Sequence, residues 1–217
     1  KFDGYTFYQY TQDSSKLLIE DAVFPMAIDS DGGLCVVFND RIAVYDRNRD
    51  KFRSFPIPSK NFKQLALGFT GETITWVGSI EQGLLRFDRE KKTSTTFLNP
   101  AGGGANTIYD IVDEGKTLLL GTADGLWQFD LSENKFYRPA NVPESSGIYP
   151  GGVKKIFPHR DDYWLWMDSQ LIHVGSNGQT INRLDFGEVH ERFDLDKKFN
   201  NLHVVSVVQD KGGDFWI

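Results

Sequence analysis

The chain has 217 residues, with 24 Lys plus Arg against 30 Asp plus Glu, a net charge of −6 and no basic stripe, which excludes the electrostatic footprint of a nucleic-acid or anionic-membrane binder. Aromatics are frequent (17 Phe, 8 Tyr, 5 Trp) and apolar runs are only about 4 to 6 residues long, which points to many short strands and an all-β class. No apolar stretch approaches the ~18 residues of a membrane span, Lys1 to Tyr10 lack the apolar region of a signal peptide, and a single cysteine excludes an internal disulfide.

In chain order, Tyr5 to Tyr10 reads as the last strand of a preceding unit. A four-strand pattern then recurs. Its first copy has strands at Ala27-Ile28, Leu34 to Phe38, Ile42 to Tyr45 and Phe52 to Phe55, with an acidic, glycine-rich turn Asp29 to Gly33 after the first strand. The second has Leu65 to Leu67, Ile74 to Gly78, Leu84 to Phe87 and a strand bearing Phe97. The third has Ile108 to Val112, Leu118 to Thr122, Gly125 to Phe129 and Phe136-Tyr137. The fourth, which is degenerate, has Val153 to Phe157, Tyr163 to Met167, Leu171 to Val174 and Ile181 to Leu184; a fifth begins at Val204 to Val208 and reaches Phe215 to Ile217.

The second-strand position held by Cys35, Trp76, Leu119, Trp164 and Trp216 recurs at intervals of 41, 43, 45 and 52, and the Asp closing the third strand (Asp46, Asp88, Asp130) at 42 and 42. Four short strands per repeat of this length are the signature of a β-propeller blade, a twisted antiparallel sheet that buries its two apolar faces only by stacking on neighbours. The expected organisation is one partial propeller over 1–217: blades at 26–57, 64–98, 107–138 and 152–185, a blade strand at 5–10 and a partial blade at 203–217. Such an array is not expected to close a seven-bladed ring alone, and its open edges invite pairing with each other or with a second copy as a homodimer.

The elements Gly33-Leu34-Cys35-Val36, Trp76-Val77-Gly78-Ser79, Leu119-Leu120-Gly121-Thr122-Ala123-Asp124-Gly125-Leu126 and Asp210-Lys211-Gly212-Gly213-Asp214-Phe215-Trp216-Ile217, with the lead-in Asn200-Asn201-Leu202-His203-Val204, follow one template. It resembles the two-component-regulator propeller repeat, roughly D-x-x-G-x-L-W-I-G-T-x-x-G-L, over nearly the whole chain. The fourth copy departs from it, with Trp166-Met167 where Gly-Thr is expected. The resemblance implies the extracytoplasmic (periplasmic) sensor region of an inner-membrane hybrid two-component protein. It further implies a non-catalytic propeller that senses a glycan fragment, with a histidine kinase region elsewhere. A protein-interaction scaffold and a polysaccharide-acting propeller lyase or hydrolase remain the alternatives.

The residues argue against several chemistries. Asp29-x-Asp31-x-Gly33 and Asp46-x-Asn48-x-Asp50 suggest calcium loops, but Leu34 and Lys51 stand where the sharp turn needs Gly, and Asp40 and Ile57 where a bidentate Glu belongs. They read instead as Asx-type hairpin turns. Ala101-Gly102-Gly103-Gly104-Ala105 lacks the Lys-Ser/Thr of a phosphate loop, no Gly-x-Ser-x-Gly is present, and His159, His173, His190 and His203 show no ligand spacing, so neither a metal nor a cofactor is expected. Trp164 and Trp166 share one strand face, as a sugar-stacking pair or as core; Cys35 in its apolar run reads as inert core.

Strand order in a four-stranded meander places the second-to-third-strand loops and the inter-blade loops on one face and the other hairpins on the opposite face. The first set is irregular and mixes Asn, Asp, Tyr and His; the second carries stereotyped charged turns (Asp46 to Lys51, Asp88 to Lys92, Asp130 to Lys135). Varied loops on a rigid scaffold are where binding residues concentrate. The candidate ligand-binding residues are therefore Asn39, Glu81, Asn106, Asp124, Tyr149, Asp168, Asn201 and His203, and the expected partner is an oligosaccharide or another polar small ligand, besides the rest of the sensor chain.

Overall fold

A computed structural model describes residues 25–38, 40–57, 62–142, 148–149, 151–167, 170–185 and 207–216. Blade 1 comprises β1 (Met26–Ile28), β2 (Leu34–Val37), β3 (Arg41–Asp46) and β4 (Lys51–Pro56). Blade 2 comprises β5 (Gln64–Thr70), β6 (Ile74–Ser79), β7 (Leu84–Asp88) and β8 (Thr93–Phe97). A short 3-10 turn, Gly103–Asn106, leads into blade 3: β9 (Ile108–Asp113), β10 (Thr117–Thr122), β11 (Gly125–Asp130) and β12 (Lys135–Tyr137). Blade 4 comprises β13 (Val153–His159), β14 (Asp162–Met167), β15 (Gln170–Val174) and β16 (Thr180–Asp185); β17 (Val208–Gln209) and β18 (Phe215–Trp216) pair beyond it. Each blade is an antiparallel meander in sequence order, and the all-β propeller architecture expected from the repeats is the one observed. Tyr5 to Tyr10 and Val204 to Ser206 lie outside the described residues.

The period-2 alternation of the strands explains the stacking. In β6, Trp76 packs toward blade 3 while Val77 packs toward blade 1; in β10, Leu118 and Leu120 face blade 2 while Leu119 faces blade 4. Blades 2 and 3 thus spend both faces on their neighbours, and the core between blades is a series of interblade layers. Cys35, fully buried between blades 1 and 2, has its thiol pushed up to about 12 by burial, so it stays protonated and unreactive at neutral pH.

Two residues of the repeat motif have separate jobs. A Cβ on Gly78 would lie 2.7 Å from Ile108 Cγ2 and 2.8 Å from Ile108 O, and one on Gly121 would lie 2.7 Å from Val153 O, so these glycines let the next inner strand press against the second strand. The hydroxyl beside each closes the following loop: Ser79 Oγ donates to Gly83 O (2.8 Å) and Thr122 Oγ1 to Gly125 O (2.8 Å). In blade 4 the same register position, opposite Leu171, is Trp166. Its indole joins Trp164, Phe157, Leu171, Val207 and Phe215 in a cluster between blade 4 and the following hairpin.

Candidate functional site

The two faces differ as strand order predicts. On the hairpin face, Asp46, Asp88 and Asp130 each accept backbone hydrogen bonds from the residues two and three positions on, at 2.8 to 3.2 Å. The residues four positions on, Asp50, Lys92 and Asn134, take positive φ of 50, 55 and 55°. These are Asx-type turns, and the carboxylates are consumed in building them. The Lys91 N–H, with that of Glu90, holds Asp88 below its ordinary range against burial; the Ser132 hydroxyl and the Glu133 N–H do the same for Asp130.

The hairpin face also has a cleft of about 220 Å³ between blades 1 and 2, lined by Asp31, Arg53, Phe55, Glu72, Arg89 and Glu90 among others. Beside it, Arg89 Nη1 donates to Asp29 Oδ2 at 2.7 Å, with side-chain exposures of 12% and 3%. This pair joins blade 2 to the first turn of blade 1, whose Gly33 N–H also donates to Asp29 (2.6 Å).

On the loop face, backbone hydrogen bonds tie the loops to one another. Gly83 N donates to Asn106 O (3.0 Å), Ala123 N to Thr107 O (3.0 Å), and the Glu81 N–H to Thr107 Oγ1 (3.1 Å). The second-to-third-strand loops of blades 2 and 3 are therefore both anchored on the connection between those blades. Glu81 is exposed, at a left-handed φ of 60°. Asn106 is buried, and its amide accepts from Asn99 N (2.7 Å) and donates to Asn99 O (3.1 Å), bracing the loop.

Asp124 and Tyr149 come together around a residue the sequence reading passed over, Arg138. Its guanidinium lies between two rings, 4.1 Å from the centroid of Trp127 and 4.2 Å from that of Tyr149. Arg138 Nη1 donates to Asp124 O (2.7 Å) and Nη2 to Asp124 Oδ2 (2.6 Å), while the Tyr149 hydroxyl donates to Leu126 O (2.9 Å). Burial pushes the Tyr149 phenol up against the opposing pull of Arg138. Trp127 Nε1 is buried and donates to no acceptor among the described residues. Stacked cation and aromatic faces form a rigid platform at the edge of this loop.

Asn39, Asp168, Asn201 and His203 lie outside the described residues. Of the two tryptophans weighed as a sugar platform, Trp164 is half-buried, its ring stacked on that of His173 (4.5 Å, 9°) and 5.2 Å from that of Phe215. Among the described residues no group of three or more His, Cys, Asp and Glu is arranged to hold a metal ion.

No protein-family model matches the chain, and no curated protein matches it significantly. Solved structures do. The extracellular domain described as that of a hybrid two component system, BT4673, from B. thetaiotaomicron superimposes with a TM-score of 0.69 at 21% identity, covering 99% of this chain and 27% of that one. The corresponding domain of BT3049 from the same organism gives 0.69 at 20%, covering 97% and 27%. PorZ, a surface component of the type-IX secretion system of Porphyromonas gingivalis, gives 0.59 at 16%, covering 85% and 29%. At such identities the likeness is one of fold. The fold is shared with these extracellular domains, and the chain spans about a quarter of their length.

Proposed function

We propose that this chain is part of a non-catalytic ligand-recognition propeller in the extracytoplasmic sensor region of a hybrid two-component signalling protein. Its ligand is an oligosaccharide or a similar polar molecule, bound on the loop face, and the signal passes to a histidine kinase region elsewhere in the protein. The observation that carries this reading is the in-register repeat motif on a fold shared with the extracellular domains of BT4673 and BT3049. The loop face supports it, because its varied loops, which carry exposed Glu81 and half-buried Asp124 and Tyr149, are braced on one another there. Among the described residues no helix is long and apolar enough to cross a membrane.

The fold likeness to PorZ favours a second reading, an assembly scaffold without a small ligand. The test is calorimetric titration of the intact sensor region with a panel of neutral and acidic oligosaccharides. Saturable binding of a panel member is the expected result; heat of dilution alone throughout would overturn ligand recognition and leave the scaffold.

A further inference from the structure

The cleft between blades 1 and 2 on the hairpin face is built by turns that hold one another. Arg89, just past β7, is the tie: besides its pair with Asp29 (2.7 Å), its Nη2 donates to Glu72 O, so one guanidinium grips both the turn after β1 and the turn after β5. Ser30 Oγ joins the same two turns by donating to Gly71 O (3.4 Å). The apolar part of the lining is equally fixed, because Val44 is buried and the Phe55 ring lies 5.5 Å from that of Phe87.

The charges of the lining do not balance. Asp31, Glu72 and Glu90 are exposed, and among the described residues their carboxylates make no ion pair and accept no hydrogen bond. Two guanidiniums stand against them: Arg89 is already neutralised by Asp29, and Arg53 lies 3.8 Å from Asp46. The excess is negative, yet it does not describe a metal site, since among the described residues no three acidic groups are arranged to hold one ion. At about 220 Å³ the cleft also falls below the ~300 to 1,000 Å³ of pockets for drug-sized ligands, which is too little room for an oligosaccharide.

We propose that this cleft is a second binding site, for a linear aliphatic diamine, on the face opposite the one that reads the oligosaccharide. The two ammonium groups of a diamine answer carboxylates spread along a lining, where a single ion finds no converging ligands. The methylene stem between them lies against Phe55 and Val44, as the stem of a lysine covers apolar surface while its charged end stays polar. A monoamine leaves part of the carboxylate excess unmatched, and an anion meets it as repulsion.

The experiment is calorimetry on the intact sensor region with putrescine and cadaverine, each beside its matched monoamine, butylamine or pentylamine, and with magnesium chloride as a competitor. The expected result is that at least one diamine binds about tenfold or more tightly than its monoamine and is not displaced by an equal concentration of magnesium. The double variant Glu72→Gln with Glu90→Gln should abolish that preference without lowering the melting temperature, because neither carboxylate holds another group in place. Asp161→Asn, an exposed acid in the turn between β13 and β14, should leave it unchanged. Equal affinity for diamine and monoamine, displacement by magnesium, a preference that survives the double variant, or no binding of either diamine would overturn the site. Each of these results leaves the oligosaccharide reading of the loop face standing, since that is tested by sugar titration.

Discussion

Replacing Trp76 with alanine is expected to lower the unfolding free energy by about 3 to 5 kcal/mol, the usual cost of deleting a large buried aromatic. Trp76 is 2% exposed, in the layer between blades 2 and 3, 5.5 Å from the ring of Phe129 and 6.2 Å from that of Phe97. Its indole N–H also donates to Thr70 Oγ1 at 2.8 Å, so the substitution opens a cavity and orphans a hydroxyl. Denaturant melts measure it. A loss below about 1 kcal/mol would show that this layer does not hold the blades together.

Gly78→Val is expected to destabilise by about 3 kcal/mol, at the upper end of the range for overpacking. The Ile108 side chain can turn aside from the new Cβ, but the Ile108 carbonyl 2.8 Å away belongs to the next inner strand and has nowhere to go. Relief requires the blades to separate, which loosens the whole layer around Ile108, Trp76 and Phe129. Gly71→Ala is the useful comparison: its φ of 58° carries the strain of a left-handed residue, but nothing lies within 4 Å of the added Cβ. Gly71→Ala should therefore cost about 1 kcal/mol, the backbone component alone. Equal losses in the two variants would refute close blade contact as the reason for Gly78.

The blades were legible in the sequence because their determinants are local. Alternating apolar residues mark the strands, and Asp46, Asp88 and Asp130 mark turns whose hydrogen bonds reach only two and three residues along the chain. The face assignment also followed from strand order alone. What stayed hidden depends on residues far apart. Asp124 and Tyr149 were picked as ligand-facing, and Arg138, which draws them together, belongs to a blade connection with no motif of its own. The inner strands β5, β9 and β13 each carry a bulge near their start, with Leu65, Tyr109 and Lys154 as the extra residues, and these were hidden for another reason: the three share a register but no chemistry, so residue type gives no signal. A structure-free clue does exist, since each is the second residue of an inner strand after an inter-blade loop.

The most direct test of the account is a comparison of the two faces. The intact sensor region would be titrated with the oligosaccharide its parent form binds most tightly, in three variants: Tyr149→Ala and Glu81→Gln on the loop face, and Lys91→Ala in a charged turn on the hairpin face. The account predicts that at least one loop-face variant weakens binding by about tenfold while Lys91→Ala leaves it unchanged. Unchanged affinity in both loop-face variants, or a loss confined to Lys91→Ala, would contradict it and place recognition elsewhere on the propeller.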